Sequence, residues 1–127
     1  DRLTEREKLP AGKLVLMGFS QGAVMSLDAG LRYSKRVAMI IALSGYLPFP
    51  ERLPAERSAA SAGTPILLIH GTGDEVVPVD GSRKAHAALL KEGYPVRLQE
   101  YPMGHEVIPE ELRLIRDELK KRLSLFD

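Results

Sequence analysis

Apolar positions along the chain change period from one segment to the next, and glycine and proline mark where each change falls. Leu14, Val15, Leu16 and Met17 form a short apolar run that stops at Gly18, after which Ala23, Val24, Leu27, Gly30 and Leu31 recur at the spacing of one helical face. That pattern predicts strand, turn and helix. Residues 37–43 are apolar on both faces and predict a second strand, followed by an irregular proline-rich stretch over 44–64, long enough to act as a lid or pocket wall. Residues 65–69 predict a third strand. After Asp74 and Pro78, residues 79–92 read as a helix closed by Gly93. Residues 96–101 alternate, Val96 and Leu98 against Arg97 and Gln99, which predicts a half-exposed strand near a sheet edge. The last helix is predicted to present Ile108, Leu112, Ile115, Leu119 and Leu123 on one face. Pro109, Glu110 and Glu111 in its first turn, and Lys120, Lys121 and Arg122 near its end, suit the helix dipole.

Four strands alternating with helices, with apolar runs in the first three, predict an α/β fold, a mainly parallel sheet with helices on its faces and right-handed crossovers. The length of 127 residues suits one domain, 1–127, with a single core. A hydrophobic fraction of 44% and a charged fraction of 28% are ordinary for a globular chain, and no biased stretch signals disorder. Eighteen basic and seventeen acidic side chains, intermixed along the chain, leave a net charge of +1 and argue against nucleic acid as a partner. The longest apolar run, 37–43, falls far short of the roughly 20 residues of a membrane span. The absence of cysteine excludes disulfides, thiolate nucleophiles and cysteine-ligated zinc, without choosing a compartment. The charged start, Asp1-Arg2-Leu3-Thr4-Glu5-Arg6, carries no initiator methionine and no signal-peptide pattern, as expected of a piece of a longer chain.

Gly18-Phe19-Ser20-Gln21-Gly22 is a G-x-S-x-G sequence between a predicted strand and a predicted helix, the setting of a nucleophile elbow. Reversing from strand to helix in so few residues strains the backbone at Ser20 and favours residues without side-chain bulk beside it. The N–H of Gln21, at the helix start, then faces a developing oxyanion. A serine hydroxyl needs a base, and a neutral imidazole base needs a carboxylate to hold its tautomer. Of three histidines, His86 falls inside a helix and His70 ends the third strand, where hydrogen bonding that shapes the next turn is its expected work. His105 follows the fourth strand directly, at the carboxyl edge of the sheet where ligands bind in such folds. Asp74 follows the third strand, after Gly71 and Gly73, which permit a tight turn. Capping the next helix is the alternative work for Asp74, and Glu75 is an adjacent rival acid. Ser20, Asp74 and His105 occur in the order of α/β-hydrolase triads.

With these residues in hand, the chain resembles the phospholipase/carboxylesterase group of α/β-hydrolases, which includes acyl-protein thioesterases and small bacterial carboxylesterases. Four blocks carry the likeness: Gly18 to Ala23, Leu43 to Pro48, His70 to Pro78, and Gly104-His105-Glu106. The resemblance implies triad roles for Ser20, Asp74 and His105. It further implies hydrolysis of carboxylic or thio esters through an acyl-enzyme, a small-molecule ester as substrate, and no cofactor and no metal. It also places Leu47 and Phe49, in an apolar loop with Pro48 and Pro50, at the wall of an acyl pocket, although packing on the sheet accounts for that loop equally well.

Family members carry about half their fold ahead of the elbow, including a loop that donates a second oxyanion N–H, so the likeness implies a C-terminal half and one donor fewer. Loss of one such donor typically lowers turnover by about a hundred- to a thousand-fold. A first strand with no earlier partner leaves an open edge over 14–17, and such edges invite pairing with a second copy. A homodimer through that edge, and a catalytically weak or silent fragment whose work is association with itself or with a separate N-terminal half, are therefore expectations beside the esterase reading.

Overall fold

The computed structural model describes residues 15–33, 37–48 and 50–123, with side chains through residue 121. Four strands form one sheet: β1 (Val15–Phe19), β2 (Met39–Leu43), β3 (Ile66–Gly71) and β4 (Val96–Tyr101). They lie in the order β1-β2-β3-β4, and every neighbouring pair is parallel. Parallel neighbours need crossovers, and α1 (Gln21–Arg32), α2 (Leu53–Glu56) and α3 (Val79–Lys91) lie within the three that join them, with α4 (Pro109–Leu123) following β4. Two short 3₁₀ turns, Pro50–Arg52 and Ala59–Ser61, flank α2 in the stretch expected to be irregular. The α/β fold, four parallel strands with helices on both faces, is thus as the apolar pattern predicts.

The side-chain period of two divides the strands between two cores. Ile40 and Ala42 of β2 and Ile66 and Leu68 of β3 face α1 and α3, packing with Ala23, Leu27, Leu31, Ala85 and Leu89. The intervening Met39, Ile41, Leu43, Leu67 and Ile69 face the other way and pack with Met103 and with Ile115 of α4. Both faces of β2 and β3 are therefore buried along their whole length, which is why these strands read as unbroken apolar runs. The alternating β4 lies at the edge, as its pattern predicts. Burying a leucine such as Leu27 or Leu89 contributes on the order of 1.5–3 kcal/mol.

Four expectations need correction. The third strand runs over Ile66–Gly71 rather than 65–69, because its ladder with β4 continues to Gly71 opposite Tyr101. The first strand begins at Val15 and runs on to Phe19, through the first glycine of the motif, because its ladder with β2 continues to Phe19 opposite Leu43; Leu14 lies outside the described residues. The second strand begins at Met39 rather than at residue 37. On α4, Leu112 points outward at 57% exposure, while Glu111 is fully buried. The inward face runs through Glu111, Leu114, Ile115, Glu118 and Leu119, so that Ile115 and Leu119, with Ile108 ahead of the helix, pack as predicted, while the side chain of Leu123 lies outside those described. Glu111 is drawn in because its Oε1 accepts the Ile108 N–H at 2.9 Å, serving the open start of the helix. Burial raises its carboxyl above the usual range, opposed by that hydrogen bond and reinforced by the charge of Glu106.

Register brings the carboxyl ends of all four strands to one edge. Phe19 lies opposite Leu43, Leu43 opposite Ile69, and Gly71 opposite Tyr101. The segments that leave this edge carry Ser20, Asp74 and His105. No helix among the described residues is long and apolar enough to cross a membrane.

Candidate active site

Ser20 sits between β1 and α1 with φ 58° and ψ −116°, a backbone conformation that non-glycine residues rarely adopt. Such strain costs about 1–3 kcal/mol and persists only where the surroundings fix it. Here the Ser20 N–H donates to Leu43 O at 2.8 Å, and its carbonyl accepts from Ala23 and Val24 N–H at 3.0 and 3.2 Å. The chain is clamped on both sides of the reversal. Ser20 stands at the N-cap of α1, yet its hydroxyl makes no capping bond. It reaches instead to His105, with Oγ 2.9 Å from Nε2.

The two glycines of the motif differ in what they do. A Cβ at Gly18 would lie 2.2 Å from the backbone carbon and oxygen of Gly22, so only glycine lets strand and helix close this tightly. At Gly22 itself a Cβ would meet nothing within 4 Å. The expectation that lack of bulk is needed on both sides of Ser20 therefore holds at Gly18 and fails at Gly22. Gln21 opens α1, where its N–H is one of the donors that a helix start leaves without a partner in its own turn.

His105 lies in the segment between β4 and α4, its side chain 17% exposed. Its Nδ1 is 2.7 Å from Asp74 Oδ2. A carboxylate only accepts, so Nδ1 carries the proton and Nε2 is left to accept from the Ser20 hydroxyl. The Phe19 ring packs against the imidazole with centroids 4.8 Å apart and planes tilted by 36°. Glu106 Oε2 accepts the Gly104 N–H at 3.0 Å, a local bond across the base. This segment also presses on the end of β3: a Cβ at Gly71 would fall 2.3 Å from Met103 O and 2.6 Å from Gly104 O. Gly71 was expected to free the backbone for a turn, yet neither it nor Gly73 has positive φ. Close approach of the segment after β4 to the end of β3 is what requires Gly71.

Asp74 is buried at 7% exposure. Its Oδ1 accepts the Val76 N–H at 2.9 Å and the Val77 N–H at 2.8 Å, leaving Oδ2 for His105. Burial pushes its carboxyl up, but the hydrogen bonds from His105, Val77 and Val76 together outweigh it and hold the group below the usual aspartate range. The rival Glu75 is exposed. Asp74 thus bonds both its own loop and His105. A hydroxyl, an imidazole and an ionised carboxylate in this sequence can pass a proton from Ser20 to His105 while Asp74 steadies the imidazolium.

The other candidates fall in different places. His86 is half-buried on α3, away from these contacts. His70 is fully buried and bonds Val77 O in the turn that follows it, in keeping with the work expected of it. Leu47 is 8% exposed and packs in the α1/α3 core. It also borders a cavity of about 360 Å³ that Tyr46, Pro50, Val76, Val77 and Pro78 help line. Phe49 lies outside the described residues. The backbone at Ser44 was not anticipated: it leaves β2 with φ 55° and donates its N–H to Ile69 O at 2.8 Å, as Ser20, with φ 58°, donates to Leu43 O one strand over. Its only signal was a serine-glycine pair directly after an apolar strand.

Comparison with known proteins places this geometry in context. The sequence model of the Phospholipase/Carboxylesterase family matches residues 2–123. The chain is 40% identical over 120 residues to acyl-protein thioesterase 1 of Neurospora crassa, covering 91% of this chain and 48% of that protein. It is 32% identical over 110 residues to the carboxylesterase SOBER1 of Arabidopsis thaliana, covering 86% and 48%. Among solved structures, esterase PE8 superimposes with a TM-score of 0.88 at 38% identity, over 94% of this chain and 55% of that one. Arabidopsis thaliana SOBER1 does so with a TM-score of 0.89 at 30% identity, over 95% and 58%. The chain spans about half the length of the curated relatives it matches.

Proposed function

Because the chain belongs to the phospholipase/carboxylesterase family, we propose that it carries the reacting groups of a serine hydrolase for carboxylic esters or thioesters, working through an acyl-enzyme. The observation that supports this reading most is the unbroken relay from Ser20 Oγ to His105 Nε2, and from His105 Nδ1 to Asp74 Oδ2, at 2.9 and 2.7 Å. Ser20 attacks the acyl carbon while His105 takes the hydroxyl proton, and the C–O or C–S bond breaks as His105 returns that proton to the leaving group. Water then repeats the sequence on the acyl-serine and regenerates Ser20. The Gln21 N–H is the oxyanion donor read from this chain. The cavity beside Leu47, Val76 and Val77 adjoins the acid loop and suits an apolar acyl group.

Pre-steady-state release of a chromophore from p-nitrophenyl acetate tests the reading. A stoichiometric burst that Ser20→Ala abolishes is expected. Release that persists in Ser20→Ala would refute it.

A second reading concerns partners. Among the described residues β1 pairs with β2 alone, and Met17 on that strand is 54% exposed. We infer that two copies associate through β1, joining two four-stranded sheets across a two-fold axis. Light scattering at micromolar concentration should return twice the mass of the chain; a monomer at every concentration would refute the pairing.

A further inference from the structure

His70 is the last core-facing side chain before the acid loop, and none of it is exposed, so it meets no substrate. Its ring is nevertheless engaged at both nitrogens. Nε2 lies 2.6 Å from Val77 O, and Nδ1 lies 2.5 Å from Ser82 Oγ on α3. The Ser82 hydroxyl also lies 3.2 Å from Gly45 O, in the segment that follows β2. A carbonyl oxygen only accepts, so Nε2 carries a proton and spends it on Val77. One imidazole thereby ties the end of β3 to the exit of the acid loop and to α3.

The position of Val77 makes this more than packing. Its N–H is held by Asp74 Oδ1 at 2.8 Å and its carbonyl by His70 at 2.6 Å. Asp74 Oδ2 is 3.4 Å from His70 Nε2, too far to compete with the 2.7 Å bond from His105. With the His70 proton committed to Val77, Oδ2 remains for the base. Resting on the triad reading above, we propose that His70 is a positioning residue for the acid: by pinning the Val77 carbonyl it aims the Val76 and Val77 N–H groups at Oδ1 and so presents Oδ2 to His105. Were that anchor lost, the loop could turn without breaking the fold, and displacement of a reacting group by about 1 Å can lower a rate about a hundred-fold.

Two replacements of similar bulk separate positioning from packing. The His70→Gln amide reaches the place of Nε2 and can still donate to Val77 O; the His70→Asn amide reaches only the place of Nδ1 and leaves Val77 O without its donor. The first readout is the downfield proton NMR signal of His105 Nδ1–H, identified by its loss in His105→Gln, and the second is the rate at which Ser20 takes up a fluorophosphonate. His70→Asn should erase or broaden the signal and slow uptake by about a hundred-fold, through the rate constant of the chemical step rather than through binding. His70→Gln should keep the signal and most of the rate. Should both unfold, Ser82→Ala removes the second anchor alone and should speed exchange of the same proton. Equal effects of Asn and Gln, or a signal untouched by Asn or by Ser82→Ala, would overturn the proposal. A wild-type chain that shows the signal but takes no label would instead refute the hydrolase reading, and the signal would still decide the role of His70.

Discussion

Ser20 and His105 stand 85 positions apart in the chain, and their side chains meet at 2.9 Å. No local interaction makes that contact. It follows from parallel pairing of four consecutive strands, which brings each carboxyl end, with the loop that leaves it, to one edge.

If the carboxylate sets the tautomer of the base, Asp74→Asn should leave Ser20 and the fold in place and yet lower kcat for ester hydrolysis by about 10³–10⁴-fold, because an amide that donates to Nδ1 turns the imidazole proton toward Ser20. Glu75→Gln, one residue along and exposed, should change kcat less than two-fold. Steady-state kinetics on both variants measures this, and comparable losses would assign the acid wrongly.

The two motif glycines predict opposite outcomes. Gly18→Ala forces a methyl to within 2.2 Å of the Gly22 backbone and should destabilise by about 1–3 kcal/mol or more. Gly22→Ala meets open space inside α1 and exchanges a poor helix former for the best one, so it should be neutral or stabilise by up to about 1 kcal/mol. Urea midpoints of the two variants provide the comparison.

Asp74 should make the fold sensitive to acid. An unfolded aspartate titrates near about 3.9, and the folded value lies lower. Above the unfolded value the carboxylate is ionised in both states and its stabilisation is whole; it is lost as pH falls through the folded value. The stability difference between the wild-type chain and Asp74→Asn should therefore be constant around neutrality and shrink below pH ~4. Urea unfolding across that range would show it, and a difference that grew on acidification would contradict the sign.

Glu111 should act in the opposite sense. Burial raises its folded value above the ordinary one of about 4.3, so on raising pH the unfolded chain ionises first and stability falls until the folded value is passed. Glu111→Gln keeps an acceptor for the Ile108 N–H and carries no charge. The wild-type chain should thus gain stability relative to Glu111→Gln as pH is lowered from 7 to 4. Parallel curves would show that the buried carboxyl is not the cause.

How much of this was written in the sequence depends on how locally each feature is determined. The strand runs were legible because β2 and β3 are buried on both faces, and the place of Asp74 and His105 at the carboxyl edge of the sheet because each follows a strand. The inward face of α4 was legible in part: Ile108, Ile115 and Leu119 pack in the core as predicted, but Leu112 lost its inward place to Glu111, whose bond to the Ile108 N–H rewards a carboxylate at that position whatever its hydropathy. Gly71 was read as a turn residue because its true constraint, the carbonyls of Met103 and Gly104, lies some thirty positions away and is tertiary. Leu47 was left open between pocket and core, and it borders both, since one side chain can pack on α1 and still edge a cavity. His70 could be assigned to its turn by sequence. Its reach to Ser82 could not, because that depends on how α3 returns across the sheet.

The central claim is that Ser20 is the activated nucleophile, and covalent labelling tests it most directly. Incubation with a fluorophosphonate, digestion and mass spectrometry should find one adduct, on Ser20, formed at least about a thousand-fold more slowly in His105→Ala and not at all at that site in Ser20→Ala. An unlabelled wild-type chain, or an adduct on another residue that survives Ser20→Ala, would contradict the account.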